Sequence, residues 1–173
     1  MQKYIIKNIK DTENLAKKLA GGLKGGETIG FVGNLGAGKT TFIQYLTKAL
    51  GVKQIVNSPT FNIIKIYPIK NPKSKIKNLA HIDAYRLNSA EELQALGMEE
   101  FVDNPQTITV IEWADKVKSI LPKDAMIVKI TLNKDGGRLF EMNYPAASWR
   151  GIPRKIYLFE TPKVSQTLPT RTP

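Results

Sequence analysis

Apolar residues recur along the chain in two rhythms. At Leu15, Ala16, Leu19 and Ala20 the spacing of three and four predicts a helix over 11–23, with Asp11 or Thr12 as its cap and Gly21 and Gly22 at its end. Phe42, Ile43, Leu46, Ala49 and Leu50 repeat that rhythm over 39–50, and Gly51 stops it. A further helix is expected from Ser89-Ala90-Glu91-Glu92, with Leu93 and Leu96 inward and Gly97 at its end, and a short one from Asp115 to Leu121. The other rhythm is that of strands: Thr28 to Val32, residues 62–67, and Leu79 to Ala84. Thr107 to Ile111 is a continuous β-branched run, the signature of a strand buried on both faces. Ala125 to Leu132 and Arg138 to Tyr144 alternate around Asp135-Gly136-Gly137, which is hairpin chemistry. Pro59 makes Val56 to Phe61 a loop, and Pro68 to Lys77 is a lysine- and proline-bearing connection. Strands and helices intermixed in this way predict one mixed α/β sheet with helices packed on it.

After Tyr144 the pattern dissolves. Five of the ten prolines lie from Pro145 onward, and Ser165 to Pro173 is rich in Thr and Pro without periodicity. Ile156 to Phe159 could form an extra edge strand, with a loose tail beyond it. The expected organisation is one folded domain over 1–146 and a partly disordered extension over 147–173.

The strand Thr28–Val32 and the helix from Lys39 enclose a glycine-rich turn. There Gly33, Gly38, Lys39 and Thr40 satisfy G-x-x-x-x-G-K-[ST], the Walker A pattern. Glycines at 33, 36 and 38 permit positive φ and a close approach of backbone to polyphosphate. The N–H groups of such a turn converge on phosphate oxygens at the positive end of the helix that follows. Lys39 can reach the β- and γ-phosphates, and the Thr40 hydroxyl is placed to ligate Mg²⁺.

Composition adds boundaries. At 173 residues with 42% hydrophobic content, the chain has the size of one globular domain. Having no cysteine, it can carry neither a disulfide framework nor a thiolate zinc site. The first residues do not form a signal-peptide core and no apolar stretch is long enough to span a membrane, so a cytoplasmic protein with no membrane partner is expected. The net charge of +11 is uneven: between Glu27 and Asp83 there are lysines at 39, 48, 53, 65, 70, 73, 75 and 77 and no carboxylate. Such a field attracts a nucleotide or RNA, but a surface lysine excess also serves solubility alone.

A phosphate loop needs acidic partners to hold Mg²⁺ and orient a nucleophile. Asp83 and Glu112 fall where strands run out, the end of an open α/β sheet at which ligands gather. A carboxylate there can also be merely solvated or salt-bridged. Trp113 reads as a core or interface aromatic placed beside a candidate ligand. His81, the only histidine, shares a strand face with Asp83 and reads as buried and hydrogen-bonded rather than catalytic. Ser58 and Thr60, around Pro59, supply turn chemistry or a segment that senses the γ-phosphate.

Taken together, Gly33 to Phe42, Asn57-Ser58-Pro59-Thr60-Phe61, His81 to Leu87, Glu91-Glu92-Leu93 with Leu96-Gly97, and Ile111-Glu112-Trp113 resemble the TsaE (YjeE) family over about residues 5 to 144. The resemblance implies a three-layer P-loop NTPase-like α/β fold, with a mixed, largely parallel sheet flanked by helices. It also implies a Mg²⁺-dependent ATPase required for threonylcarbamoyladenosine at position 37 of tRNA. Carried over by position, Gly33, Gly36, Ala37, Gly38, Lys39, Thr40 and Thr41 embrace the phosphates. Thr40 and Glu112 ligate Mg²⁺, and Asp83 assists at the metal. Ser58, Pro59, Thr60 and Phe61 form a switch-like loop, and Trp113 and Arg138 lie by the ATP. The implied partners are TsaD and TsaB, whose complex the ATPase resets, with tRNA reached indirectly. Asn34 departs from the family's usual acidic residue, the connection over 68–77 replaces a variable loop, and nothing carries over beyond Tyr144. Two other readings stay open: a small-molecule kinase, against which the absence of an evident acceptor lid counts, and a nucleotide-gated binding module.

Overall fold

Seven strands form one sheet in the order β1-β7-β6-β2-β5-β4-β3. They are β1 (Gln2–Ile6), β2 (Thr28–Val32), β3 (Ile64–Pro68), β4 (Asn78–Asp83), β5 (Thr107–Glu112), β6 (Met126–Leu132) and β7 (Arg138–Asn143). The helices are α1 (Ile9–Gly22), α2 (Lys39–Leu50) and α3 (Ala90–Ala95), with 3₁₀ helices at Met98–Glu100 and Ala114–Ile120. This computed structural model describes residues 1–144 except Lys73 and Asp103. The edge strand and tail expected after Tyr144 lie outside the described residues.

The central strands β6, β2, β5 and β4 run parallel, and antiparallel pairs close the sheet on both sides through β7, β1 and β3. Alternation divides the core into two layers. Ile29 and Phe31 of β2, Leu79 of β4 and Ile108 and Val110 of β5 pack with Leu15, Leu19, Phe42, Ile43 and Leu46 of α1 and α2. Ile82 and Ile111 face the other way, onto Leu93, Ala114 and Val117. Gly30 lets the second layer approach, because a Cβ there would lie 2.7 Å from the Ala114 Cβ. All six residues of β5 are buried, as its β-branched run predicts.

Several local expectations are corrected. The cap of α1 is Asn8, not Asp11 or Thr12: Asn8 Oδ1 accepts from the Asp11 N–H at 3.0 Å, and Asp11 Oδ2 accepts from the Asn8 N–H at 3.2 Å. This reciprocal box places Asp11 in the third helical position. β1 was not anticipated; it pairs with β7, the last described strand. β3 starts at Ile64 rather than 62, because the N–H groups of Asn62 and Ile63 are turned onto the Pro59 carbonyl at 2.9 and 2.6 Å. Pro68 is tolerated on β3 because that strand lies at the edge. Ala49 is exposed, and Thr47 takes the buried place, its hydroxyl donating to the Gln44 carbonyl at 2.9 Å. Leu96 is also exposed, since α3 ends at Ala95 and carries Ala90 and Leu93 inward. The segment expected as a helix from Asp115 is a 3₁₀ helix that kinks at Val117.

Candidate nucleotide-binding site

The turn between β2 and α2 lies at the carboxyl ends of the parallel strands. Gly33, Gly36 and Gly38 all have positive φ, at 155°, 76° and 105°. Two of these positions exclude a side chain. A Cβ on Gly33 would lie 2.5 Å from the Ile130 carbonyl oxygen, and Gly38 caps α2 in the left-handed region with the Arg138 Nε 3.2 Å from where its Cβ would stand. Among the described residues no side chain caps α2, so its first N–H groups face the turn. The Ala37 N–H bonds to the Asn34 carbonyl at 3.1 Å, and the Ala37 carbonyl accepts from Arg138 Nε at 2.9 Å. β7 thereby reaches the loop from across β6, on the face that carries α2.

Lys39 is only 5% exposed. Its ammonium donates to the carbonyls of Gly33 at 2.7 Å and Asn34 at 3.1 Å, and stands 3.8 Å from the centre of the Trp113 ring. Burial pushes the ammonium below the usual lysine range, while the charges of Glu112, Asp83 and Asp115 act in the opposite direction. A polyanion in the turn would add to that second influence.

Register brings the acidic residues together. Asp83 and Glu112 are paired positions at the ends of β4 and β5, both 3% exposed and both on the face that carries α2. The Thr40 hydroxyl lies 2.9 and 2.8 Å from the two oxygens of Glu112. His81 Nε2 lies 3.0 Å from Glu112 Oε1. Asp83 Oδ2 accepts from Ser58 and, at 2.7 Å, from Thr60, while Oδ1 accepts from the Tyr85 N–H at 2.9 Å. Ser58 and Thr60 are themselves 2.7 Å apart. Pro59 is buried beneath them and anchors the turn through its carbonyl. Phe61, 85% exposed, is turned outward under Arg86 at 4.5 Å.

A cavity of about 360 Å³ is walled by the loop, Lys39, Thr40, Thr41, Ser58, Thr60, Asp83, Glu112, Trp113 and Arg138. A second, of about 320 Å³, lies across Trp113 and is walled by Val32, Asn34, Asp115 and the end of β6 from Lys129 to Leu132. Trp113 adopts φ 59° to stand between them, a conformation uncommon outside glycine. Thus most of the residues singled out in the sequence line the first cavity, while Gly33 and Ala37 line the one across Trp113, Pro59 is buried under its turn and Phe61 faces away. Tyr85 carried no expected role, yet its ring lies 5.1 Å from Trp113 and its carbonyl accepts from Lys116 Nζ at 2.5 Å. Its position two residues beyond Asp83 was the available signal.

The oxygen donors of Thr40, Glu112 and Asp83 suit a hard cation such as Mg²⁺. No three His, Cys, Asp or Glu side chains cluster as a self-sufficient metal site among the described residues. Among the described residues no helix is long and apolar enough to cross a membrane.

Comparison with known proteins agrees with this geometry. The profile of the family described as "Threonylcarbamoyl adenosine biosynthesis protein TsaE" matches residues 6–140. A Bacillus subtilis (strain 168) protein named "tRNA threonylcarbamoyladenosine biosynthesis protein TsaE" is 34% identical over 148 residues, covering 86% of this chain and 87% of its own. A protein of the same name from Rickettsia bellii is 37% identical over 136 residues, or 78% of this chain and 90% of its own. The crystal structure of Bacillus subtilis YdiB superposes with a TM-score of 0.69 at 28% identity, covering 86% of this chain and 88% of that one. The three-layer P-loop NTPase-like architecture is shared with it. On sequence and fold alike, the chain belongs to the TsaE family of threonylcarbamoyl adenosine biosynthesis proteins.

Proposed function

We propose that the chain is a Mg²⁺-dependent ATPase that acts on a complex of TsaD and TsaB during formation of threonylcarbamoyladenosine at position 37 of tRNA, in the cytoplasm. The observation that carries this reading is the meeting of Thr40 with both oxygens of Glu112, beside Lys39 and the glycine turn. A hydroxyl from the start of a helix and a carboxylate from a neighbouring strand end have no packing reason to converge in a cavity. They are the donors a nucleotide-bound divalent ion requires.

In this reading the loop N–H groups and the Lys39 ammonium hold the β- and γ-phosphates, Lys39 exchanging its carbonyl partners for phosphate oxygens. Thr40 and Glu112, with Asp83 assisting, would hold Mg²⁺, which when bound supplies neutralisation of phosphate charge. Water attacks the γ-phosphorus in line as its bond to the β-γ bridging oxygen breaks, giving ADP and inorganic phosphate. Asp83, held by Ser58 and Thr60, couples the switch-like loop to the phosphate end of the cavity. The cavity across Trp113 offers an aromatic wall and room for the nucleoside. Arg138 braces the turn through Ala37. The tRNA is reached through the partner complex.

Calorimetry with ATP or ADP and Mg²⁺ tests the foundation: absence of any heat of association on folded protein ends the proposal. A pull-down against TsaD and TsaB, with and without ATP, tests the partnership. Depletion of the chain should then lower the modified adenosine. Labelled ATP with candidate acceptors separates hydrolysis from a kinase reaction by where the label goes. A Glu112 variant holding ATP that still supports repeated rounds of modification would favour a nucleotide-gated module instead.

A further inference from the structure

His81 occupies a position that strand chemistry would give to an apolar residue. It lies on the α2 face of β4 in register with Val110, shares that face with Leu79, and is fully buried. Its Nδ1 has no hydrogen-bond partner among the described residues. An imidazole buried with one nitrogen unsatisfied is a poorer filler of a packed core than a leucine of similar size. The other nitrogen, Nε2, meets Glu112 Oε1 at 3.0 Å across the neighbouring strand. A carboxylate can only accept, so the hydrogen of this bond sits on Nε2.

Glu112 has two oxygens to orient, and the Thr40 hydroxyl, within reach of both, carries one hydrogen. When that hydrogen turns to Oε2, His81 is the donor that holds Oε1. The imidazole approaches from the sheet interior, whereas Thr40 approaches from the start of α2 beside the cavity. The carboxylate plane is therefore fixed from two directions.

We infer that His81 is a positioning residue for the divalent-cation site: its Nε2–H locks the Glu112 carboxylate in the orientation that receives the ion accompanying ATP. This rests on the proposed ATP–Mg²⁺ reading of the cavity. Partners of this kind, one bond removed from the ion, commonly govern metal affinity by about 10- to 100-fold.

The test measures ATP affinity twice for each protein by calorimetry, once with excess EDTA and once with saturating Mg²⁺, so that the ratio reports metal coupling alone. In His81→Leu the ratio should fall about 10-fold, with the metal-free affinity within about twofold of wild type. His81→Gln places an amide N–H where Nε2 stood and should restore the ratio to within about threefold. His81→Asn, whose amide lies too close to the backbone to reach Glu112, should behave like His81→Leu. A role in packing alone would lower both affinities together, or neither. If His81→Leu fails to fold, the Gln and Asn pair decides, and equal ratios in those two overturn the inference. So does a wild-type ratio in His81→Leu. A wild-type chain that binds ATP in neither condition overturns the reading of the cavity and this inference with it. A wild-type chain with clear coupling, matched by His81→Leu, overturns the inference alone.

Discussion

The parallel centre of the sheet and its antiparallel flank bury side chains of different kinds. At the ends of β4 and β5 the buried set includes His81, Asp83 and Glu112, with Lys39 beside them, all polar: Glu112 is bonded to His81 and the Thr40 hydroxyl, Asp83 to the Ser58 and Thr60 hydroxyls, and Lys39 to backbone carbonyls. Across β1 and β7, and along β6 where β7 joins it antiparallel, the buried set is Tyr4, Ile6, Phe140, Met142, Met126, Val128 and Ile130. Burying charge costs free energy unless every group is paired, whereas burying aromatic and aliphatic surface stabilises without conditions. The flank therefore carries stability that the centre gives up for its chemistry. Phe140 marks the contact between them: its ring packs 5.3 Å from Phe42 of α2, the helix that begins with Lys39 and Thr40.

If that division holds, variants in the two regions should separate binding from stability. Lys39→Ala should have the largest effect, lowering ATP turnover on the order of 10³-fold or abolishing binding, with the melting temperature within about 3 °C of wild type. Turnover assays and calorimetry check it, and a large loss of stability instead would break the comparison. Phe140→Ala should do the reverse: a loss of about 3–5 kcal/mol in urea unfolding, with the nucleotide affinity of the folded fraction nearly unchanged. Glu112→Ala should retain ATP binding and lose about 10²-fold in hydrolysis. Normal hydrolysis in that variant would remove Glu112 from its assigned role. Asn8→Ala, at the cap of α1, is the smallest, about 1 kcal/mol of stability with activity intact.

How much was legible in the sequence follows the same division. The loop from Gly33 to Thr40 could be read because glycine, lysine and hydroxyl functions are fixed by local geometry. β5 could be read because burial on both faces leaves an uninterrupted β-branched run. β1 could not, for it is short, two of its five residues are exposed, and it pairs with a strand more than a hundred residues away. The Asn8–Asp11 box was legible by its spacing, but exposed Ile9 hid the start of α1. His81 could be recognised as buried, yet its pairing with Glu112 depends on the register of β4 against β5, which no local pattern encodes. Trp113 could be placed beside Glu112, whereas its left-handed φ and its stand over Lys39 arise only from tertiary packing.

The pairing of β1 with β7 has a consequence for biosynthesis. Gln2 through Ile6 wait for Met142 through Arg138, and the brace that Arg138 gives to Ala37 arrives with the same strand. At translation rates of about 5–20 residues per second, the glycine turn emerges from the ribosome roughly 5–20 seconds before that strand does. A nascent chain arrested short of β7 should therefore be open to protease and unable to retain nucleotide, and both properties should change together once the final hairpin is released.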